Sequence, residues 1–261
     1  MTGRRSHNFK YPFKPVTFEG PNSYIKNREK FEAGKKYIKE SITDGSSFFS
    51  CDDMIIWNRN VSIFDDPGVI EKLKNKAYEK DQAKRIYRSY ILRGFAYNSI
   101  KIPGCFIEAG CYKGDSVEEL LNDPDISAAK KNFYLFDLFD HTIGDAHVRK
   151  EGHIKNLHSN VVERFKNNET VKVIKGRIPD VLEEEIKEKV AFAHIDLNNS
   201  EAESKALEFL LPRMSLGGCI VFDDYGWQIF RDQKVEIDQI IQKHGYRIIE
   251  IPTGQGIVIV N

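Results

Sequence analysis

Three aspartates follow two apolar segments that have the pattern of buried β-strands. Asp196 ends the run AFAHID at 191–196, and Asp223 and Asp224 end the run CIVFDD at 219–224. In an open α/β sheet, the carboxyl ends of neighbouring parallel strands face the ligand crevice. Carboxylates that meet there repel one another unless a proton or a cation neutralises them. We therefore predict that these three aspartates bind a divalent metal ion, most plausibly Mg²⁺, which prefers oxygen ligands.

Such a metal could bind two neighbouring oxygens of a substrate and lower the pKa of one hydroxyl. The alternative is a capping role. Asp196 would then cap a helix that begins near Glu201, and Asp223 would cap the turn that follows its strand. The presence of carboxylates at the ends of both strands favours the metal-binding role over the capping role.

A glycine-containing segment follows the first apolar run of the C-terminal part. The sequence EAGCYKGDS at 108–116 places Gly110 and Gly114 between a strand and a helix, where glycine permits a tight turn and close approach of a ligand. The spacing is neither GxGxxG nor GxxxxGK[ST], so a pyrophosphate site is not indicated. Glu108 can hold an ammonium group, and the helix N-terminus near Ser116 suits a carboxylate.

Asp137 ends the next strand, 23 residues after Gly114. In dinucleotide folds an acidic residue about 20 residues after the glycine loop binds the ribose hydroxyls. A site for an ammonium group, a carboxylate and a ribose matches S-adenosylmethionine, and we predict that this loop binds it. Taken singly, each feature also fits an ordinary strand–helix turn with capping by Asp115 or Ser116.

Histidine has an ordinary pKa near neutral pH and is the usual candidate for a base. His194 lies two residues before Asp196 and therefore shares its face of the strand. His141 belongs to a group of histidines after the second strand of the C-terminal part. We take Asp196, His194 and His141 as candidate catalytic residues, while support of the metal remains an equal alternative for His194.

Short apolar runs alternate with amphipathic segments from residue 105 onward, which predicts an α/β fold with helices on both faces of a parallel sheet. The last two runs are separated only by Pro252-Thr253-Gly254-Gln255, too few residues for a crossover helix, so we expect an antiparallel hairpin there. A seven-stranded, mostly parallel sheet with an antiparallel C-terminal strand is the layout of the Rossmann-like class I methyltransferases. The predicted strands lie at 105–110, 133–137, 171–175, 191–196, 219–224, 246–251 and 256–261, and the predicted helices between them at 115–122, 154–167, 179–187, 201–211 and 231–244.

The N-terminal part differs in composition from the rest. It has an excess of Lys and Arg and many aromatic residues, whereas the C-terminal part has an excess of Asp and Glu. Helical spacing of apolar residues predicts helices within 26–41 and 69–98. We predict that residues 1–98 form an arm and a helical extension that covers the site or mediates homo-oligomer formation, and that residues 99–261 form the S-adenosylmethionine-binding domain.

The overall composition excludes several classes of protein. The 261 residues include 39 Lys and Arg and 39 Asp and Glu, so a strongly basic nucleic-acid-binding surface is not expected. No apolar run is long enough to cross a membrane, and the first residues lack the apolar core of a secretory signal. The four cysteines show no metal-binding spacing. We expect a cytoplasmic protein with reduced cysteines and neither nucleic acid nor membrane as a partner.

These motifs resemble the macrocin O-methyltransferase family of bacterial sugar methyltransferases, the TylF/MycF type. The resemblance covers residues 85–261 and is most specific from His194 to Trp227. It implies S-adenosylmethionine as methyl donor, Mg²⁺ dependence and methylation of a hydroxyl on a sugar or sugar-like polyol, in natural-product or glycan biosynthesis. Asp196, Asp223 and Asp224 match the metal ligands of the family. The candidate cofactor-binding residues are Glu108, Gly110, Tyr112, Gly114, Ser116, Asp137, Gly176, Arg177 and Asp196.

The chain departs from that family after its fourth strand. Many members continue as Asp-x-Asp-x-Tyr, whereas this chain reads Asp196-Leu-Asn198-Asn199-Ser200 and resembles a sub-branch with HIDxNN. Because Asp196 remains, this difference from the family bears on the predicted sugar acceptor more than on the predicted metal site. A catechol-like acceptor and a non-catalytic partner subunit in glycan or natural-product assembly are the alternatives. A nicotinamide oxidoreductase is disfavoured by the absence of GxGxxG and by the C-terminal hairpin.

Overall fold

The computed structural model describes residues 26–42, 48–52, 54–57, 59–69, 85–139 and 156–261. The chain divides into two compact units, one ending at Val61 and the other beginning at Ser62. The first unit contains helix α1 (Arg28–Glu40), where Asn27 caps the first turn by accepting a hydrogen bond from the Lys30 N–H at 2.8 Å. It also contains an antiparallel hairpin of β1 (Phe48–Cys51) and β2 (Met54–Trp57). The helix agrees with the one predicted within 26–41, whereas the hairpin was not predicted.

The second unit is built on a seven-stranded sheet. Five strands are parallel, and β9 pairs antiparallel with both β7 and β8. The spatial order is β5-β4-β3-β6-β7-β9-β8. This confirms the predicted mostly parallel sheet and its C-terminal hairpin. The strands are β3 (Cys105–Ala109), β4 (Phe133–Asp137), β5 (Val171–Lys175), β6 (Val190–Ile195), β7 (Met214–Phe222), β8 (Ile249–Glu250) and β9 (Gly256–Ile259).

Helices cover both faces of this sheet. Alternate strand residues form two cores: Ile107, Ile195 and Phe222 belong to one, and Phe106, Phe192 and Val221 to the other. The helices are α2 (Ile86–Ser99), α3 (Asp115–Leu121), α4 (Pro124–Ala128), α5 (Leu157–Phe165), α6 (Asp180–Glu185), α7 (Ser200–Leu210) and α8 (Arg231–Lys243), with 3₁₀ turns at Val61–Asp65, Leu211–Arg213 and Gln228–Phe230.

Helix α2 buries Tyr87, Leu92 and Ala96 and contacts β6 and β7. It coincides with the second half of the helix predicted at 69–98, and residues 70–84 of that prediction lie outside the described residues. Among the helices of the described segments, none is long and apolar enough to cross a membrane.

The chain changes direction across the sheet at β3. It runs from β3 outward through β4 to β5, and then returns to place β6 on the other side of β3. The carboxyl ends of β3 and β6 therefore flank the topological switch point, where open α/β sheets bind their ligands.

Candidate active site

Four of the candidate residues, Glu108, His194, Asp196 and Asp223, share one face of the sheet around the switch point. Glu108 of β3 and His194 of β6 are register partners, and their side chains point to the same face. Asp196 follows β6, and its N–H donates to the Ala109 carbonyl at 2.8 Å. Asp223 follows β7, and its N–H donates to the Ile195 carbonyl at 3.0 Å. The strand register thus brings Glu108, at the start of the glycine-containing segment, to the same crevice as Asp196 and Asp223.

Gly110 forms the close contact between the glycine loop and the loop after β6. Its φ of +93° lies in the left-handed region, and a Cβ there would collide with the Asp196 carbonyl group. Its N–H donates to the Phe136 carbonyl at 2.8 Å, which ties the loop to β4 as well. Glycine is required here because backbone from the adjacent strand fills the space of a side chain.

The second half of the loop is held by α5. Gly114 precedes α3 with φ +79°, and a Cβ on it would lie 2.6 Å from the Phe165 ring. Arg164 donates to the Lys113 carbonyl and to Asp115 Oδ1, both at 2.6 Å, and also bonds Glu118. Arg164 was not predicted as a site residue, because the sequence of an amphipathic helix does not show which groups an arginine on it will contact.

Asp137 closes the loop from the end of β4. Its Oδ2 accepts from the Tyr112 N–H and its Oδ1 from the Phe139 N–H, both at 2.8 Å. The N–H of Gly176 donates to the Asp137 backbone carbonyl at 3.1 Å, so the turn after β5 meets the same strand end. Each carboxylate oxygen keeps a second lone pair for a ligand hydroxyl.

Two further predicted cofactor-binding residues are exposed on the loops that contact Asp137, and a third is partly buried on α3. Tyr112 is exposed with φ +46°, and Arg177 is exposed beside Gly176. Ser116 is partly buried in the first turn of α3 and lines a small cavity that Glu108 and His194 also line.

His194 connects Glu108 to Asp223 beneath the crevice. Its Nδ1 lies 3.1 Å from Glu108 Oε1, and its Nε2 lies 3.6 Å from Asp223 Oδ1. Burial by itself would lower the pKa of His194, but hydrogen bonding and charge from Asp223 and Glu108 outweigh it and raise the pKa to about 10. The imidazole therefore holds its proton at neutral pH, which suits a fixed positive charge better than a base.

The carboxylates of this cluster influence one another strongly. Burial and the Asp223 charge raise the pKa of Asp196 to about 6. Burial, followed by the charges of Asp196 and Asp223, raises the pKa of Asp224 well above its usual range. The pKa of Asp223 is lowered because Arg88 and His194 overcome the effect of burial. Burial and the neighbouring negative charges therefore both favour the protonated forms of Asp196 and Asp224.

A divalent ion fits part of this cluster. His194, Asp196 and Asp223 each offer a ligand atom, and these atoms lie within 4.8 Å of one another. The Nε2 of His194 is buried without a hydrogen-bond partner among the described residues. Asp224 is not in this cluster of three, although it follows Asp223 directly. A nitrogen and two carboxylates suit ions such as Mn²⁺ or Fe²⁺, and all-oxygen ligation suits Mg²⁺.

Arg88 is a further charged residue of the site that the sequence analysis did not identify. It is buried on α2, and its Nη1 donates to Asp223 Oδ2 and lies 3.5 Å from Asp224 Oδ1. The Arg88 guanidinium also lies over the Trp227 ring, at 5.6 Å from its centroid.

Glu203 shapes the loop that carries Asp196. Its Oε1 accepts from the Leu197 and Asn198 N–H groups at 3.2 Å and from Gln233 Nε2 at 2.8 Å. Asn198 adopts φ +53°, and its Nδ2 donates to Asp196 Oδ1 at 2.9 Å. The sequence did not identify Glu203 as a site residue, because it does not show which groups a buried glutamate on a helix contacts.

His141, the remaining candidate base, lies outside the described residues.

Comparison with known proteins agrees with this architecture. Residues 107–225 match the family described as a methyltransferase domain. A search of curated proteins gives no match. The residues matched extend from within β3 to just past Asp223 and Asp224, so they include most of the candidate site.

Solved structures of methyltransferases share the fold. The O-methyltransferase NovP is 19% identical, with a TM-score of 0.56 over 73% of this chain and 88% of NovP. The calicheamicin methyltransferase CalS11, also described as a TDP-rhamnose 3'-O-methyltransferase, is 14% identical, with a TM-score of 0.54 over 76% of this chain and 88% of CalS11. Methyltransferase PaMTH1 of Podospora anserina, solved with SAH bound, is 12% identical, with a TM-score of 0.54 over 90% of this chain and 96% of PaMTH1.

Proposed function

We propose that this protein is an S-adenosylmethionine-dependent O-methyltransferase that methylates a hydroxyl of a sugar or sugar-like polyol and uses a divalent metal ion. The observation that carries the proposal is the meeting of two features at the switch point. The glycine loop closed by Asp137 adjoins the cluster of His194, Asp196 and Asp223 on the same face of the sheet. The first feature suits the methyl donor and the second suits the acceptor.

The donor side supplies complementary polar groups for S-adenosylmethionine. Glu108 Oε2 is buried without a hydrogen-bond partner among the described residues and can accept from an ammonium group. Asp137 offers lone pairs that can accept from ribose hydroxyls, which is the role we predict for it from the sequence. The N-terminus of α3 after Gly114 favours a carboxylate. When bound, S-adenosylmethionine supplies an electrophilic methyl group on a sulfonium.

The acceptor side would hold the metal through Asp196, Asp223 and Asp224. His194 Nε2 lies in the same cluster and would add a nitrogen ligand only if metal binding displaced its proton. When bound, a divalent ion polarises the acceptor oxygens and makes a hydroxyl more acidic. Asp196 is partly exposed in the crevice and is the residue best placed to receive the hydroxyl proton. Glu203 and Asn198 fix the orientation of the Asp196 carboxylate.

The sugar acceptor is proposed from similarity to sugar methyltransferases. The resemblance to the macrocin family and the similarity to CalS11, a TDP-rhamnose methyltransferase by its description, favour a sugar. A vicinal pair of hydroxyls would present two adjacent oxygens to the metal, and a catechol would do the same. The acceptor assay below therefore includes both classes. The homo-oligomer expected from the sequence stays a prediction that light scattering can test.

Transfer of a labelled methyl group from S-adenosylmethionine tests the proposal. The acceptors are sugar nucleotides, free polyols and catechols, each with Mg²⁺, with Mn²⁺ and after EDTA treatment. We expect transfer to a sugar hydroxyl that requires the metal, and a large loss of turnover in Asp196→Asn with little change in adenosylhomocysteine affinity. Transfer to nitrogen or carbon, or full turnover in Asp196→Asn, would contradict the proposal.

A further inference from the structure

Arg88 places a permanent positive charge against two consecutive carboxylates. Its Nη1 donates to Asp223 Oδ2 and lies 3.5 Å from Asp224 Oδ1. The three side chains are only 10%, 8% and 11% exposed, so water screens these charges weakly. Because a guanidinium does not lose its proton in proteins, this charge is present at every pH at which the protein is folded.

The contacts of Asp223 leave little room for a second cation. While Oδ2 accepts from Arg88, Oδ1 accepts from Gln255 Nε2 at 3.0 Å, and Thr253 in turn donates to Gln255 Oε1 at 2.9 Å. A metal that binds Asp223 must share these oxygens or replace their donors. Asp196 differs, because its hydrogen bond from the neutral Asn198 amide brings no positive charge.

The guanidinium is also held from other directions. It lies over the Trp227 ring at 5.6 Å, a favourable cation–π arrangement. Helix α2, which carries Arg88, packs on β6 and β7. Arg88 is therefore a fixed part of the site and not a mobile surface charge.

We infer that Arg88 is an internal cation that competes with a divalent metal ion for Asp223 and Asp224 and thereby sets the metal affinity of the site. This inference rests on the proposed metal site. Arg88 neutralises part of the negative charge of Asp223 and Asp224. From the sequence, a metal ion was expected to neutralise this charge. Full ligation by Asp196, Asp223 and Asp224 requires the guanidinium to give up its contact with Asp224 at least.

Mn²⁺ binding to the full-length protein, measured by calorimetry without donor or acceptor, tests this inference. We expect Arg88→Gln to bind Mn²⁺ about tenfold more tightly or better, because a neighbouring positive charge is removed. Arg88→Lys keeps the charge and should stay close to wild type. The matched control is Arg93→Gln on the same helix, which removes a guanidinium paired with Asp66 and should leave Mn²⁺ affinity unchanged.

Equal or weaker Mn²⁺ binding by Arg88→Gln overturns the inference. If Arg88→Gln does not fold in metal-free buffer, the inference expects millimolar Mn²⁺ to restore folding, and failure to do so also overturns it. Adenosylhomocysteine binding in the same samples separates the two proposals. Normal adenosylhomocysteine binding without any Mn²⁺ effect of Arg88 removes this inference alone, whereas a wild-type protein that binds no adenosylhomocysteine removes the proposed function.

Discussion

Glu108 and His194 are register partners on adjacent strands, and their side chains form a buried pair with Nδ1 and Oε1 3.1 Å apart. The pKa of His194 is raised from 6.5 to about 10 in the folded protein, because Asp223 and Glu108 overcome the effect of burial. The folded state therefore binds more protons than the unfolded state between these two pH values. This contribution to stability is complete below pH 6.5 and is lost as the pH rises towards 10.

Replacing Glu108 with Gln should reduce that pH dependence. We expect Glu108→Gln to lose about 1.5–3 kcal/mol at pH 7, where a charge-assisted hydrogen bond is lost, and less near pH 10. Urea unfolding of both proteins at several pH values between 6 and 10 measures the difference. Glu169→Gln, at an exposed position, is the control. A difference that does not change with pH would show that Glu108 does not hold the proton on His194.

Asp137 should contribute to donor binding through its remaining lone pairs. We expect Asp137→Ala to weaken adenosylhomocysteine binding by about 1.5–3 kcal/mol, the cost of losing charge-assisted hydrogen bonds. Part of this loss would come from the Tyr112 N–H, which loses its acceptor. Calorimetry on Asp137→Ala and on the exposed control Asp125→Ala tests the prediction. Wild-type affinity in Asp137→Ala would exclude Asp137 from the donor site.

Gly110 should tolerate no side chain. Gly110→Ala places a Cβ against the Asp196 carbonyl at a left-handed φ, so β3 and β6 must separate at the crevice. We expect it to lose several-fold or more in adenosylhomocysteine affinity and to have a clearly lower Tm. Gly94→Ala is the matched control, because its Cβ would meet no described atom within 4 Å and the residue lies within α2. It should raise stability by about 0.5–1 kcal/mol.

Ionisation of Glu203 should lower the stability of the folded protein as the pH rises. Burial, and then the charge of Asp196, raises the pKa of Glu203 from 4.5 to about 8. Since the folded carboxyl binds its proton more tightly than the unfolded one, its contribution falls as the pH rises from 4.5 to 8. Glu203→Gln keeps an acceptor for the Leu197 and Asn198 N–H groups without ionising. We expect its stability relative to wild type to be higher at pH 8 than at pH 5, measured by urea unfolding at both pH values.

The alternation of apolar runs and helices was enough to predict the sheet and its hairpin. Hydrophobic period and connection length are local properties, and the four residues between the last two apolar runs allow no crossover helix. The residues at which strands begin and end were predicted less accurately. Strand β7 begins at Met214 instead of 219, since pairing with neighbouring strands extends it through Gly217 and Gly218.

In the candidate site, too, some residues could be predicted from the sequence and others could not. Glu108, His194, Asp196 and Asp223 lie in or just after strands, and the sheet register brings them together. The meeting of Asp196 and Asp223 at neighbouring strand ends was predicted from the sequence. Arg88 and Glu203 reach the site from helices, and their partners are 135 and 5 to 6 residues away in the chain. A helix pattern identifies a buried face but not the polar partner that a buried charge meets, so these two residues required the structure.

The buried thiols give a final test of how firmly the strands around the site are held. Burial raises the pKa of Cys105 and of Cys219 to about 12 and also raises that of Cys111. At pH 8 a shift of about three units lowers the thiolate fraction about a thousandfold, and the thiolate is the form that iodoacetamide attacks. We expect all three cysteines to resist alkylation in the folded protein and to react readily in urea, as read by peptide mass spectrometry. Cys111 lies in the glycine loop, so adenosylhomocysteine should slow its residual alkylation more than that of Cys105. Rapid modification of Cys219 in the folded state would show that β7, which positions Asp223, opens far more easily than its packing implies.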